Sequence, residues 1–356
     1  MTAEPTSNIR GDERLIFFPT IGHLDATTGE WQLPIHGWIF QPEDDSIRRA
    51  AALSLFRRWL GLEPAGAEAE LFDRRLRAFL VDNQPHKAVT IRIGGQAYRL
   101  APSTADGHIT DLVRLAPDVV SAALARQTAA PATASEIIAN TPQALDFDVQ
   151  MPAGDERTFG GRIHLIGDRG VSVISDIDDT IKVTHVRDRG ALLRQTFLRD
   201  FEAVPGMAEV YQRWRAGGAA FHYVSRSPWQ LYPALSEFLT EHGLPSGTFH
   251  MRKFRWKNAS TLTPDHDGAK KESVVEAILA ALPHRHFIMV GDSGEHDPEI
   301  YGALARRYPD QVRGLFIRNT TAEVRQSPRL QQATADIPAD RWQLFDRPEE
   351  LPATIV

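Results

Sequence analysis

Cysteine is absent from the 356 residues of this chain. A disulfide framework, a thiolate zinc site, an iron–sulfur cluster and a cysteine nucleophile are therefore all excluded. Hydrophobic residues make up 42% of the chain and charged residues 24%, which is ordinary for a globular protein and excludes a disordered or fibrous chain. A chain of this length buries about three quarters of its unfolded surface, so it can fold without cross-links.

Long apolar runs and an excess of positive charge are also missing. The longest apolar stretches, such as Ala50–Leu53 and Phe287–Val290, fall far short of the roughly 20 residues that a membrane helix needs. The polar N-terminus has no apolar core of the kind found in signal peptides. A net charge of −6 disfavours bulk binding to nucleic acid. We expect a cytoplasmic protein with no nucleic-acid partner and, at most, peripheral contact with a membrane.

The chain length suggests two domains, and the sequence pattern changes near residue 168. Strand-like segments separated by turn residues dominate residues 10–168, which we interpret as a β-rich accessory domain. Ser46 begins a predicted helical insertion in this domain, with apolar residues on one face and arginines on the other. The arginine face fits either a solvated surface or contact with anionic lipid. Residues 169–345 form the second predicted domain.

The second domain shows short apolar runs that alternate with helix-like segments. The runs are Val171–Asp176, Ala219–Ser225, His286–Asp292 and Val312–Ile317. The helix-like segments are Met207–Ala216, Tyr232–His242, Glu272–Leu282 and Glu299–Tyr308. This alternation predicts a parallel sheet covered on both faces by helices. Ligands of such sheets bind at the carboxyl ends of the strands, so the residues that end these runs are candidates for chemistry.

Polar clusters occur at these predicted strand ends and at one helix start. They are Asp176-Ile177-Asp178-Asp179-Thr180, Ser225, Lys270-Lys271 and Gly291-Asp292-Ser293-Gly294-Glu295-His296-Asp297. In this order they resemble the motif set of the haloacid-dehalogenase-like phosphohydrolases: DxDxT, Ser or Thr, Lys, then GDxxxxD. A single short motif of this kind arises easily by chance, whereas four in order after suitable strands do not.

Two other interpretations of these motifs fail. A calcium loop that began at Asp176 would need Gly at its sixth position and Glu at its twelfth, where Ile181 and Arg187 stand. The GDSG sequence also occurs around the nucleophile of chymotrypsin-like proteases, but Glu295 follows it here. The surrounding pattern is α/β rather than β-barrel, which also excludes the protease.

The residue types fit the hydrolysis of a phosphate monoester. We predict that Asp176 is the nucleophile and forms an aspartyl-phosphate. Asp178 would protonate the leaving oxygen and then activate water. A magnesium ion would neutralise the anionic substrate. Its predicted ligands are Asp176, Asp178, Asp292 and Asp297, the last through water or by supporting the other ligands.

The phosphoryl oxygens need hydrogen-bond donors where charge develops, and Ser225, Lys271 and Thr180 are the predicted donors. Lys271 is preferred to Lys270 because Val275, Ile278 and Leu282 follow it at helical spacing. Lys270 remains an alternative to Lys271, as does Ser227 to Ser225. We interpret Asp179 as a turn or capping residue.

Longer segments resemble the App1-type phosphatidate phosphatases, a Mg-dependent haloacid-dehalogenase-like family. The segments are SDIDDTIKVT (175–184), YVSRSPWQLYPALSEFL (223–239) and FIMVGDSGEHDPEIYG (287–302), and the similarity extends over about 171–318. The resemblance implies a Rossmann-like parallel α/β catalytic domain after a β-rich domain. It also implies dephosphorylation of phosphatidate to diacylglycerol.

Two alternatives to a phosphatidate phosphatase remain at this point. One is the same chemistry on a soluble phosphate monoester, and the other is a catalytically inactive lipid- or partner-binding module. The segment 250–271 is basic, with Phe254 and Trp256 within it. It fits either an interfacial contact near an anionic headgroup or a solvated loop.

Overall fold

A computed structural model describes residues 6–42, 54, 58, 66–128, 143–184, 189–253 and 271–355. The chain divides into two compact units, Met1–Arg49 with Arg77–Asp168 and Ala50–Leu76 with Arg169–Val356. The predicted helical insertion that begins at Ser46 lies almost wholly outside the described residues, as does most of the basic segment 250–271.

The first unit contains nine strands and one helix within the described residues. The strands are β1 (Arg14–Phe18), β2 (Thr20–Leu24), β3 (Trp31–Pro42), β4 (Val81–Asn83), β5 (Thr90–Ile93), β6 (Gln96–Arg99), β7 (His108–Leu115), β8 (Gln143–Val149) and β9 (Gly160–Ile166). The sheet has the order β1-β3-β2-β9-β8-β5-β6, and β4 and β7 also pair with β3. Every second residue of β8 from Leu145 onward is buried, which is the period expected of a half-buried strand.

Two features of the first unit differ from the sequence-based expectation. The sequence pattern predicts that Leu15–Phe18 and Trp31–Phe40 are the two strands of one hairpin. They do pair antiparallel as β1 and β3, but a further strand, β2, lies between them in the chain, after Pro19. The helix that follows the predicted insertion, Ala67–Arg77, is assigned to the second unit as far as Leu76. Its residue Arg75 donates hydrogen bonds to the carbonyl oxygens of Thr196 (2.8 Å) and Arg199 (2.6 Å), which explains that assignment.

The second unit is a mixed α/β structure with a parallel sheet, as predicted. The strands are β10 (Val171–Ser175), β11 (Lys182–Val183), β12 (Glu202–Ala203), β13 (Ala220–Pro228), β14 (Thr248–Arg252), β15 (His286–Asp292), β16 (Val312–Arg318) and β17 (Trp342–Phe345). The helices in chain order, including the one helix of the first unit as α2, are α1 (Ala67–Arg77), α2 (Pro117–Thr128), α3 (Arg189–Phe197), α4 (Met207–Ala216), α5 (Tyr232–Glu241), α6 (Lys271–Ala281), α7 (Asp297–Arg307) and α8 (Pro328–Ala333). Short 3-10 turns cover Trp229–Leu231 and Pro348–Glu350.

The main sheet of this unit has six strands in the order β14-β13-β10-β15-β16-β17, all paired in parallel. Strands β13 and β15 flank β10, with Ser175 in register with Tyr223 on one side and Val290 on the other. The carboxyl ends of β10, β13 and β15 therefore lie side by side. The polar clusters that follow these strands meet at one edge of the sheet, as expected for a parallel sheet.

No helix among the described parts of the chain combines the length and apolarity needed to cross a membrane.

Candidate active site

Asp176 lies immediately after β10 with only 1% of its surface exposed. Its backbone N–H donates to the carbonyl oxygen of Val290 in β15 (2.9 Å), which fixes the start of the loop after the strand. The side chain accepts hydrogen bonds from Thr180 Oγ1 at Oδ2 (3.2 Å) and from Lys271 Nζ at Oδ1 (2.6 Å). Both carboxylate oxygens of the predicted nucleophile are therefore oriented by the protein.

The loop after Asp176 is a tight turn built around one carbonyl group. The oxygen of Ile177 accepts from the N–H groups of Thr180 (3.3 Å), Ile181 (3.1 Å) and Lys182 (3.0 Å). Asp179 has a φ of 55°, in the left-handed region that aspartate tolerates better than most residues. Its Oδ1 accepts from the N–H of Thr184 (2.7 Å), so the interpretation of Asp179 as a turn and capping residue is confirmed.

This turn places Thr180 beside the predicted nucleophile. Thr180 is fully buried, and its hydroxyl donates to Asp176. It orients that carboxylate, and its role in phosphate binding stays a prediction.

Lys271 is the first residue of α6 and is 8% exposed. The buried residues of this helix, Lys271, Val275, Ile278 and Leu279, lie on one face, which carries the lysine inward with the apolar stripe. Its Nζ lies 2.6 Å from Asp176 Oδ1 and 2.5 Å from Asp297 Oδ1. Lys271 therefore occupies the position predicted for it, and Lys270 lies outside the described residues.

Asp292 and Asp297 complete a group of three buried carboxylates. One oxygen from each of Asp176, Asp292 and Asp297 lies within 4.8 Å of the others, an arrangement that can hold a metal ion. Asp297 comes close because Gly291 lacks a side chain: a Cβ at Gly291 would lie 2.7 Å from the Cβ of Asp297. The glycine of the GD motif is therefore required by the approach of α7 to the end of β15.

The two oxygens of Asp292 have different surroundings. Oδ1 accepts from the N–H groups of Gly294 (2.6 Å) and Glu295 (3.2 Å) and from Thr320 Oγ1 (3.1 Å). Oδ2 is buried and has no hydrogen-bond partner in the described structure. A buried carboxylate oxygen without a partner is costly, and a cation is the natural partner for it.

The electrostatics of the group indicate a deficit of positive charge. Burial, together with the neighbouring Asp297 carboxylate, raises the pKa of Asp292 to about 7. Burial also raises the pKa of Asp176 well above its ordinary value, an effect that Lys271 only partly offsets. Although burial lowers the pKa of Lys271, the carboxylates of Asp176 and Asp297 outweigh this and raise it well above the usual range. Three carboxylates thus share one ammonium group, and a divalent cation would balance them.

Asp178 is not one of these three clustered carboxylates, and its role as a metal ligand stays a prediction. Its Oδ1 is 2.7 Å from Lys182 Nζ and accepts from Thr184 Oγ1 (3.0 Å). Burial raises the pKa of Asp178, but the Lys182 ammonium and its hydrogen bond reverse this and leave it below the ordinary value. The carboxylate is directed toward Lys182 because an ammonium inside the protein is its strongest available partner.

Ser225 and Ser227 both lie at the end of β13 and both contact Asp178. Each hydroxyl donates to Asp178 Oδ2 at 3.2 Å, and Ser225 Oγ also accepts from the N–H of Ser227 (3.0 Å). The structure therefore brings both candidate serines to the site.

Sequence reasoning missed four residues that support the site. Lys182, Thr184, Thr320 and Arg329 hold the motif residues through the contacts given above and below. A lysine between the apolar residues Ile181 and Val183, directly after the DxDxT motif, was a usable signal for Lys182. Arg329 has no such signal, because it lies more than 30 residues from the motif residues that it contacts. Its Nη atoms donate to the carbonyl oxygens of Ser293 (2.5 Å) and Glu295.

The fold and the site together define a parallel α/β unit with a carboxylate- and lysine-lined site at the carboxyl ends of adjacent strands. Residues 171–319 of this unit match the family model described as the catalytic domain of phosphatidate phosphatase APP1. The resemblance indicated by the sequence motifs is therefore confirmed over this part of the chain.

Two curated proteins show the same similarity. An uncharacterized protein of Schizosaccharomyces pombe is 30% identical over 171 residues, which cover 47% of this chain and 28% of that protein. Phosphatidate phosphatase APP1 of Saccharomyces cerevisiae is 34% identical over 153 residues, which cover 42% of this chain and 26% of that protein. The chain thus spans only about a quarter of the length of these relatives.

Solved structures give weaker similarity. A chain in the Pnkp1/Rnl/Hen1 complex aligns with a TM-score of 0.30 at 16% identity, covering 42% of this chain and 46% of that chain. A class C acid phosphatase from Bacillus anthracis with tungstate bound aligns with a TM-score of 0.27 at 15% identity, covering 40% and 64%. Similarity at this level assigns neither fold nor function.

Proposed function

We propose that this chain is a Mg²⁺-dependent phosphatidate phosphatase that hydrolyses phosphatidate to diacylglycerol and phosphate through an aspartyl-phosphate on Asp176. The observation that carries the proposal is the meeting of Asp176, Lys271, Asp292 and Asp297 at the carboxyl end of β10. In this proposal the second unit is a haloacid-dehalogenase-like catalytic domain, preceded by an accessory β-rich domain.

The donor set fits a hard divalent cation. Three carboxylates converge and Asp292 Oδ2 lacks a partner, while the chain has no cysteine to favour a softer metal. Asp176, Asp292 and Asp297 would hold the ion. Bound Mg²⁺ would neutralise the phosphoryl oxygens and so make attack by a carboxylate feasible.

The protein residues would divide the reaction into two steps. Asp176 attacks phosphorus, and Lys271 and Ser225 donate hydrogen bonds to the phosphoryl oxygens. Asp178 must be protonated in the substrate complex, against the Lys182 contact that lowers its pKa. It gives this proton to the leaving oxygen and then removes a proton from the attacking water. Ser225 contacts Asp178 at 3.2 Å before substrate binds, so rotation of its hydroxyl would release Asp178 for the leaving group.

Phosphatidate is proposed as the substrate because the relative with a stated activity is named a phosphatidate phosphatase and shares the motif region. A phosphatidate substrate lies in a membrane, so we propose a cytoplasmic protein that contacts membranes peripherally. The alternative is the same chemistry on a soluble phosphate monoester. It remains because the residues of the four motifs would act on the phosphate group, and none of them is specific for diacylglycerol.

The test is to assay the purified full chain with Mg²⁺ against phosphatidate in mixed micelles and against a panel of soluble phosphate monoesters. We expect phosphatidate to have the highest kcat/KM. A higher value for a soluble monoester would replace the substrate, and vesicle binding without any turnover would identify an inactive binding module.

A further inference from the structure

Lys182 is a buried ammonium group in direct contact with the proposed acid–base residue. Only 2% of its surface is exposed, and its Nζ lies 2.7 Å from Asp178 Oδ1. The same Nζ donates to Thr184 Oγ1 (2.6 Å) and lies 4.6 Å from the centre of the Phe201 ring. A carboxylate, a hydroxyl and an aromatic face thus replace water around the ammonium group.

The backbone around Lys182 is fixed on both sides. Strand β11 pairs with β12, so that Lys182 lies opposite Ala203, and the N–H of Val204 donates to the oxygen of Ile181 (2.9 Å). The carbonyl oxygen of Lys182 itself accepts from the N–H of Asp179 (2.7 Å). The lysine therefore extends from a rigid support toward Asp178.

The contacts of Asp178 separate its two carboxylate oxygens. Oδ1 forms the ion pair with Lys182 and also accepts a hydrogen bond from the hydroxyl of Thr184 (3.0 Å). Oδ2 faces the hydroxyls of Ser225 and Ser227 at 3.2 Å, on the side where a phosphoryl group would bind. Hydroxyl groups rotate at little cost, whereas a buried ion pair does not exchange its partner easily.

We propose that Lys182 is a positioning residue that fixes Oδ1 of Asp178 and so makes Oδ2 the oxygen that transfers protons. This inference rests on the proposed function. In the first step an Asp176 oxygen bonds to phosphorus, the bond from phosphorus to the leaving oxygen breaks, and the proton on Oδ2 moves to that oxygen. In the second step water bonds to phosphorus, its proton moves to Oδ2, and the Asp176–phosphorus bond breaks. Lys182 forms no bond and transfers no proton in either step.

The test compares Lys182→Met with Lys87→Met in the full-length chain. Lys87 is a matched control because it is also a buried lysine in a 2.6 Å ion pair, with Glu13, in the first unit. The first step is measured by rapid mixing with Mg²⁺ on phosphatidate micelles, whose alkoxide leaves poorly, and on p-nitrophenyl phosphate, whose phenolate leaves without a proton. We expect Lys182→Met to slow phosphatidate about 10²-fold and p-nitrophenyl phosphate less than about tenfold, with KM little changed. Lys87→Met should leave the ratio of the two rates unchanged.

A double-mutant cycle separates this inference from the proposed role of Asp178. If Lys182 acts through Asp178, adding Lys182→Met to Asp178→Asn should change the rate ratio by less than about twofold. An additive effect, or equal losses on both substrates for Lys182→Met, would overturn the inference while the proposed function stands. Absence of any leaving-group dependence in Asp178→Asn would overturn both.

If Lys182→Met does not fold, Thr184→Val provides a second test. It removes the other contact of Asp178 Oδ1 and should shift the ratio of the two rates in the same direction. An unchanged ratio would overturn the inference.

Discussion

The Lys271 ammonium lies 2.6 Å from Asp176 Oδ1, and both side chains are buried. Lys271 also reaches Asp297, so one cation joins the end of β10 to the start of α7. The proposed nucleophile is thus oriented before a substrate arrives, which is the preorganisation that an anionic transition state requires.

Replacement of Asp176 by Asn should remove turnover without unfolding the protein. The amide cannot attack phosphorus, while Lys271 keeps its contact with Asp297. We expect kcat to fall by at least about 10³-fold, measured as phosphate release, with a circular dichroism spectrum like that of the wild type. Asp310→Asn, at an exposed position, serves as the control. Retention of a tenth of wild-type kcat would exclude Asp176 as the nucleophile.

Chelation should abolish activity, and Mg²⁺ should restore it. The direct readout is the melting temperature: Mg²⁺ should raise it in the wild type, because binding to the folded state stabilises it. Asp292→Asn removes one charge from the three-carboxylate group and should abolish most of that rise. Full activity in EDTA, or rescue by Zn²⁺ alone, would contradict the site as assigned.

Arg329 should matter for metal affinity although it contacts none of the three carboxylates. It holds the carbonyl oxygens of Ser293 and Glu295 on either side of Gly294, and it pairs with Glu299 (2.7 Å). Arg329→Gln should raise the Mg²⁺ concentration for half-maximal thermal stabilisation by about tenfold, as is usual for residues that support metal ligands.

The control for Arg329 is Arg306→Gln. Arg306 also donates to carbonyl oxygens, those of Ala333 (2.8 Å) and Ala335 (3.1 Å), but these lie outside the motif loop. Equal Mg²⁺ dependence in the two variants would show that Arg329 contributes only to stability.

His250 should make stability fall in acid. Burial lowers the pKa of His250 to about 4, from 6.5 when unfolded. The folded state therefore binds fewer protons, so its stabilising contribution is complete above pH 6.5 and is lost as the pH falls toward about 4. His250→Gln should flatten the decline in melting temperature across this interval by a few degrees. His284 is exposed, and His284→Gln should leave the decline unaltered. An unchanged decline in His250→Gln would show that His250 does not cause the loss of stability in acid.

Neutralising the basic segment should affect a membrane-bound substrate selectively. Arg252, Lys253, Arg255 and Lys257 lie within 250–271, and each basic residue near an anionic surface contributes about 1 kcal/mol to binding. Changing all four to Gln should raise the apparent KM for phosphatidate in vesicles and leave p-nitrophenyl phosphate hydrolysis nearly unchanged. A parallel loss of both activities would assign the segment to the fold or the active site, and no change in either would favour a soluble substrate.

The sequence alone determined the parallel sheet of the second unit and the residues at its strand ends. Strands β10, β13, β15 and β16 each contain a run of consecutive buried residues, because both faces of a parallel sheet are covered. Asp176 follows β10, and Ser225 and Asp292 come where the apolar residues of β13 and β15 end, so their positions could be predicted from local sequence. Strands β14 and β17 were not predicted, because the first is mixed in polarity and the second is only four residues long.

Only the tertiary structure decided which partners the motif residues have. Asp178 forms an ion pair with the buried Lys182, a partner that no motif in the sequence indicated. Asp292 depends on Thr320, and its loop depends on Arg329, both from segments that no motif marks. The physical reason is separation along the sequence. Strand formation and apolar periodicity depend on neighbouring residues, whereas the partner of a buried charge depends on which distant segments pack against it.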